Sequence, residues 1–144
     1  MPQPLPPIAN AAKRLTVQIE RAVAAFPRYH KYAVGADLRA EARSVNRCAH
    51  RAWRDPANQL QRVEQLSQAL DELKLTLQTA MELHAFRSFG EFEDIARNAF
   101  DLGRQCGGWL KSLRQKSQND RVKPSSGQRA QILSSRAASG EAQL

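Results

Sequence analysis

The segment VEQLSQALDELKLTLQTA, residues 63–80, decides the fold, because its large apolar side chains recur at alternating steps of three and four residues. That spacing places them on one face of an α-helix, and such a face is stable when it packs against other elements. We predict a helix over residues 58–86, with His84 at the edge of its buried face. The predicted stripe comprises Val63, Leu66, Leu70, Leu73, Leu77, Ala80 and His84.

Three further segments show the same spacing. One runs from about residue 10 to Pro27, one covers 31–54, and one follows Ser88 and fades near residue 117. Ser88 with Glu91 three positions later forms a capping-box pattern. No segment alternates with a period of two, so the chain is predicted to be all-α, an antiparallel up-down four-helix bundle.

The ends of the chain differ in composition from this predicted bundle over residues 9–117. Residues 1–8 are rich in proline, and residues 118–144 are rich in Ser, Gln, Gly and Arg. We expect the latter to be a flexible basic tail in which residues 128–138 form a short helix when bound.

The charge balance favours an anionic partner. The net charge is +8 and the pI is near 10.2, which suggests nucleic acid, an acidic protein or an anionic membrane. No apolar run is long enough to span a bilayer, the amino terminus does not resemble a secretory signal, and two cysteines fit a reducing compartment. We therefore expect a soluble cytoplasmic protein that does not bind a membrane.

A row of arginines marks the second predicted helix. Arg39, Arg43, Arg47 and Arg51 follow one another at steps of four, with Arg54 in the same sector. The nearby acids Asp37 and Glu41 lie three or four positions from none of the first four, and Asp55 could pair with Arg51 only if the helix continues that far. Three like-charge contacts cost about 0.2–0.5 kcal/mol each. The arginine row contacts phosphate, acidic residues of the segment 55–110 or of another subunit, or only solvent. Phosphate is favoured because it matches the planar guanidinium.

Two other basic groups extend the candidate nucleic-acid surface. Tyr29 and Tyr32 lie among the basic residues at the start of the second predicted helix. Their rings either stack on bases or pack on the end of the bundle. The two groups are Arg28 and Lys31, and Lys111, Arg114 and Lys116.

A second apolar stripe lies beside the main one on the last two predicted helices. It belongs either to a wide core face or to a subunit interface, and we favour the interface. Glycine at 103 and 107 allows a second backbone to approach, although the Gly107–Gly108 pair could instead end the helix. The candidate interface comprises Leu75, Leu83, Phe86, Phe100, Gly103, Gly107 and Leu110.

No pattern for catalysis is visible. His30, His50 and His84 are dispersed, Cys48 and Cys106 fall on or beside apolar stripes, and metal or phosphate-loop motifs are absent. We expect no enzyme activity, no catalytic residue, no metal and no cofactor.

Two stretches resemble a known family. FPRYHKYAVGADLR at 26–39 and LGRQCGGWLKSLR at 102–114 are similar to the accessory variability determinant family of diversity-generating retroelements. They also resemble the related four-helix proteins encoded in intervening sequences of ribosomal RNA genes. The shared residues are Phe26, Pro27, Lys31, Tyr32, Gly35 and Leu38, followed by Gly107, Gly108, Trp109, Leu110 and Lys111. The likeness covers about residues 8–117, and the second stretch favours the retroelement branch.

The resemblance implies a non-enzymatic accessory protein of a bacterial or phage-infected cell. Such proteins assemble into a homopentamer and bind a reverse transcriptase and template-repeat RNA or cDNA during mutagenic copying. The shared residues look structural, so our candidate binding residues rest on the charge pattern. An oligomeric scaffold whose arginines bind an acidic protein is the alternative, and an RNA-processing enzyme is the least favoured.

Overall fold

The computed structural model of the protein describes residues 6–122, with side chains described up to residue 120. Four long helices and one short helix make up nearly all of this part: α1 (Pro7–Ala24), α2 (Arg28–Lys31), α3 (Val34–Arg54), α4 (Gln59–Glu82) and α5 (Phe89–Val122). A single 3-10 turn at Pro56–Asn58 joins α3 to α4. The predicted all-α class is confirmed for the described residues, among which no strand occurs.

The chain divides into two compact units. The first ends at Lys111 and contains α1 to α4 and most of α5, whereas the second begins at Ser112. Within the first unit α3 makes its most extensive contacts with α4 and packs also on α1. The predicted second helix is therefore the element that links its neighbours.

The buried faces follow the predicted three-four spacing. The Ala-rich face of α3 packs on the Leu-rich face of α4, and small side chains on one helix let its partner approach closely. Each fully buried Leu contributes about 1.5–3 kcal/mol relative to an exposed one. The largest fully buried side chains are Leu15, Ile19, Val23, Leu38, Val45, Val63, Leu66, Leu70, Leu73, Leu77, Ile95 and Leu102.

The start of the second predicted helix is wrong by three residues. The chain forms the short helix α2, leaves helical geometry at Ala33 (φ −107°, ψ −100°), and resumes at Val34. Gly35 explains why the break is tolerated. A Cβ placed there would lie 2.8 Å from Val23 Cγ1 and 2.9 Å from the backbone oxygen of His30. The glycine thus lets α3 begin directly against the turn that precedes it.

The prediction that His84 lies at the edge of a buried helical face is also wrong. Helix α4 ends at Glu82, and His84 adopts the left-handed conformation (φ 55°) with its side chain exposed. The His84 N–H donates to the carbonyl of Met81, and the Ala85 N–H donates to that of Ala80, the pattern of a Schellman motif. Ala85, at 1 % exposure, occupies the buried position that the helical spacing had assigned to His84.

Helix α5 begins with the predicted cap. The Ser88 hydroxyl accepts a hydrogen bond from the Glu91 N–H at 3.1 Å, and Glu91 Oε1 accepts from the Arg87 N–H at 3.4 Å. The helix continues through the Gly107–Gly108 pair, so these glycines do not end it, and it extends to Val122, beyond the predicted limit near 117. The predicted tail helix at 128–138 and most of the tail and of segment 1–8 lie outside the described residues.

Candidate nucleic-acid interface

The arginine row lies on the outer face of α3, as its spacing predicts. Its register is fixed by the apolar stripe on the opposite side, where Leu38, Ala42 and Val45 are buried. Arg43, Arg47, Arg51 and Arg54 are exposed, and Arg39 is half-buried.

One carboxylate pairs with both arginines of the amino-terminal half of this row. Glu20 of α1 lies 3.1 Å from Arg39 Nε through Oε2 and 2.8 Å from Arg43 Nη2 through Oε1. The Arg43 Nε–H donates a hydrogen bond to Glu20 Oε1, whereas the Arg39 Nε–H forms none, so that contact is an ion pair only. Both pairs are partly exposed, so each contributes at most about 1 kcal/mol. Internal pairing therefore accounts for Arg39 and Arg43.

The carboxyl-terminal half of the row has no such acid. Within the part of the chain that the structure describes, Arg47 and Arg51 make no ion pair or hydrogen bond with a protein group. Arg54 only approaches the neighbouring Trp53 ring, at 5.8 Å from its centroid. These three guanidinium groups are thus available to an external anion. We name them the free arginines.

The free arginines surround a shallow surface cavity of about 350 Å³ that His50, Asp55 and Arg62 complete. Asp55, whose carboxylate accepts from Asn58 Nδ2 and lies 3.2 Å from Arg62 Nε, is the acid of this cavity. These hydrogen bonds hold the pKa of Asp55 below its usual value. Four guanidinium groups against one carboxylate leave the cavity strongly cationic.

The position of the cavity on the helix also matters. It lies at the carboxyl end of α3, where the helix dipole places partial negative charge and favours nearby cations. The helix dipole therefore stabilises the free arginines, which have no acid partner.

The basic group at α2 is separate from the free arginines. Arg28 and Lys31 precede the first residue of α3, and Arg47 lies 13 positions after Val34, about 20 Å along the helix. Tyr29 and Tyr32 are 81 % and 68 % exposed, so they do not pack on the end of the bundle. Lys31 Nζ lies 5.8 Å from the Tyr32 ring centroid.

The third basic group falls on both sides of a unit boundary. Lys111 is exposed at the end of the first unit. Arg114 and Lys116 are exposed on the portion of α5 in the second unit. The sequence prediction that they bind nucleic acid stays a prediction.

The second apolar stripe is partly exposed. Leu75, Leu83 and Phe100 are 66 %, 46 % and 60 % exposed. Lys74 Nζ and Arg104 Cζ lie 5.8 Å and 5.6 Å from the Phe100 ring centroid, so this ring is flanked by two cations.

Two members of the stripe belong to the protomer itself. Leu110 is 8 % exposed and forms part of the buried face of α5, which corrects its assignment to an exposed interface. Phe86 is half-buried in an aromatic cluster, with ring centroids 5.0 Å from Phe26 and 5.7 Å from Phe92.

The glycines of the stripe differ in their surroundings. A Cβ at Gly103 would lie 2.6 Å from Lys74 Nζ, the mobile end of a side chain, whereas Gly107 has open space. Gly107 is therefore the member of the pair that leaves a backbone accessible.

Among the described residues, no group of three or more His, Cys, Asp or Glu side chains could hold a metal ion. Cys106 is buried, its Sγ lies 3.7 Å from the Val63 carbonyl oxygen, and burial raises its pKa to about 11. Burial likewise raises the pKa of Glu41, partly offset by a hydrogen bond from Thr76. No helix in residues 6–122 combines the length and apolarity that crossing a membrane requires.

Sequence reasoning missed two features of this surface. Glu20 could not be found from local spacing, because it lies 19 and 23 positions before its partners. Trp53 and Trp109 line one cavity with the start of α1, although neither stood out as a functional candidate.

Compared with models of known protein families and with curated proteins, the chain matches none.

Proposed function

We propose that this protein is a non-enzymatic accessory protein of a diversity-generating retroelement that binds template RNA or cDNA and associates with the reverse transcriptase. The observation that carries the nucleic-acid part is the cavity of free arginines, Arg47, Arg51 and Arg54, at the end of α3. The retroelement part rests on the resemblance of residues 26–39 and 102–114.

Phosphate is the anion that best suits the free arginines. A guanidinium group offers parallel N–H donors to two phosphate oxygens, and successive phosphates of a strand match a row of cations better than one carboxylate does. Such binding is dominated by counterion release, so it depends steeply on salt and little on sequence.

Assembly is part of the same proposal. Short connections between the long helices favour an antiparallel up-down order. The exposed side chains of Leu75 and Phe100, together with Gly107, suit an interface between copies, which the resemblance suggests is pentameric. We place the assembly in the cytoplasm of a bacterial or phage-infected cell.

The decisive experiment measures RNA affinity against salt. Wild type is compared with the double variant Arg47→Gln/Arg51→Gln by fluorescence anisotropy of a labelled RNA. Losing two phosphate contacts should reduce the slope of log K against log salt by about 1.4–1.8 and weaken binding at least tenfold at low salt.

The matched control removes the same charge elsewhere. Arg97 and Arg104 of α5 are exposed and pair with Asp94 and Asp101, so Arg97→Gln/Arg104→Gln lowers the net charge equally. We expect this control to retain nearly all of the salt slope. Equal losses in both double variants would mean that only the total charge matters, and the cavity would not be the binding site.

The assay also separates the alternative function. If wild type does not bind RNA at low salt but an acidic protein binds through the free arginines, the scaffold alternative is correct. The interface is tested by light scattering, in which Leu75→Ser/Phe100→Ser should lower the mass of the oligomer. A wild-type monomer at micromolar concentration would rule out the proposed assembly.

A further inference from the structure

Both tryptophans of the chain line the same surface cavity. Trp53 lies one residue before the end of α3, Trp109 lies on α5, and Gln105 precedes Trp109 by about one helical turn. Pro6, Pro7 and Ile8 at the start of α1 close the remaining side of this cavity of about 310 Å³. We name it the tryptophan cavity.

The cavity is apolar but not closed. Both indole rings are half-buried, so each leaves part of its surface accessible, and the two prolines form a rigid wall. Gln105 is the one amide among the six lining residues, and it offers both a donor and an acceptor. A flat, apolar ligand with hydrogen-bonding groups at its edge fits this combination.

The charges beside the cavity identify the class of ligand. Trp53 directly precedes Arg54 at the end of α3, whereas Arg51 projects from nearly the opposite side of the helix, about 160° away. The guanidinium group of Arg54 approaches the ring of Trp53. A ligand that fills the tryptophan cavity therefore lies next to Arg54, one of the free arginines, which suits a phosphate of the same strand.

We propose that the tryptophan cavity binds an unpaired nucleobase of the strand whose phosphates contact the free arginines. This inference rests on the proposed nucleic-acid binding and adds a preference for single strands. A base stacks on an indole ring only when it is not paired and stacked inside a duplex. The Gln105 amide then contacts the edge of the base.

The other aromatic cavity of the first unit does not share these properties. It is lined by Phe86, Phe89 and Phe92 together with Glu82, and Arg87 is its one arginine. The carboxylate repels a phosphate backbone, so a nucleic-acid strand favours the tryptophan cavity.

The two tryptophans make the proposal directly measurable. Because the chain has no others, intrinsic tryptophan emission reports only on this cavity. Full-length protein is titrated with a single-stranded oligouridine and with an RNA duplex of equal length, each also followed by anisotropy. We expect the single strand to quench the emission at the concentrations that raise its anisotropy, and the duplex to leave it nearly unchanged.

Substitutions test the contribution of each ring. Trp53→Leu and Trp109→Leu should each weaken single-strand binding about tenfold and change duplex binding little. Trp53→Phe keeps an aromatic face and should recover most of the affinity. Phe89→Leu, which truncates an exposed ring in the other cavity, is the matched control and should bind as wild type does.

The outcomes are distinguishable. If anisotropy shows binding without quenching, and Trp53→Phe and Trp53→Leu bind as wild type does, the stacking site is wrong while the proposed function stands. If wild type binds no RNA at low salt, both fail, and an emission change with a protein partner alone makes the cavity a protein-docking site instead. Should the leucine variants not fold, as judged by circular dichroism, the wild-type titration and Trp53→Phe decide.

Discussion

Gly35→Ala should destabilise the protein because a single methyl group has no space at the start of α3. The new Cβ would lie 2.8 Å from Val23 Cγ1 and 2.9 Å from the backbone oxygen of His30. The second of these atoms moves only if the backbone of α2 moves.

The magnitude follows from two opposing terms. Overpacking a rigid site costs about 1–3 kcal/mol, and replacing glycine by alanine inside a helix returns up to about 1 kcal/mol. The return is smaller here, because Gly35 is the second residue of α3. We expect a net loss of about 1–2 kcal/mol in the free energy of unfolding.

Gly108→Ala is the matched control. Its new Cβ meets no atom within 4 Å, so only the helix propensity changes and the protein should gain about 0.5–1 kcal/mol. Both variants are unfolded in urea at one fixed protein concentration and followed by far-UV circular dichroism. If Gly35→Ala is as stable as wild type, the close approach of α3 to the preceding turn does not constrain that position.

Three further substitutions or measurements test other parts of the structure. His84→Gly should raise the free energy of unfolding by about 0.5–1 kcal/mol, since glycine adopts the left-handed conformation without strain; His84→Ala should show no gain. Glu41→Gln should stabilise the protein at neutral pH while still accepting the Thr76 hydrogen bond. Because the pKa of Glu41 is raised in the folded state, its ionisation destabilises the fold as pH rises through that pKa. The stability gained by Glu41→Gln should therefore disappear below about pH 4.5. Urea titrations at two pH values would show the same gain at both if this account is wrong. Native protein should expose one reactive thiol, Cys48, and reveal Cys106 only on unfolding, as counted with a chromogenic disulfide reagent.

The sequence predicts the helices well because their signal is local. Each apolar stripe extends over several turns, so Leu66, Leu73 and their neighbours are buried as expected. The serine cap of α5 is equally local, and it forms between residues three positions apart.

The errors arise where backbone geometry departs from a regular helix. His84 follows the end of α4, and beyond that point the spacing no longer tells which side of the helix a residue faces. The break at Ala33 depends on how closely Gly35 approaches Val23, which no pattern of helical spacing encodes.

The candidate site likewise has a part that local spacing predicts and a part that it does not. Spacing alone predicts that Arg47 and Arg51 point outward, and they do. The acid that compensates Arg39 lies on α1, whereas the sequence had directed attention to the acidic middle of the chain. Long-range pairing of this kind follows from tertiary packing and has no local signal.

Glu20 also sets the size of the cationic footprint. With this carboxylate in place, unpaired guanidinium groups extend from Arg47 to Arg54, about 10 Å along the helix. Glu20→Gln would release Arg39 and Arg43 and lengthen that footprint to about 22 Å. A single acid on a neighbouring helix therefore limits how many arginines are unpaired. Its loss should increase, not reduce, the number of phosphates that one protomer binds.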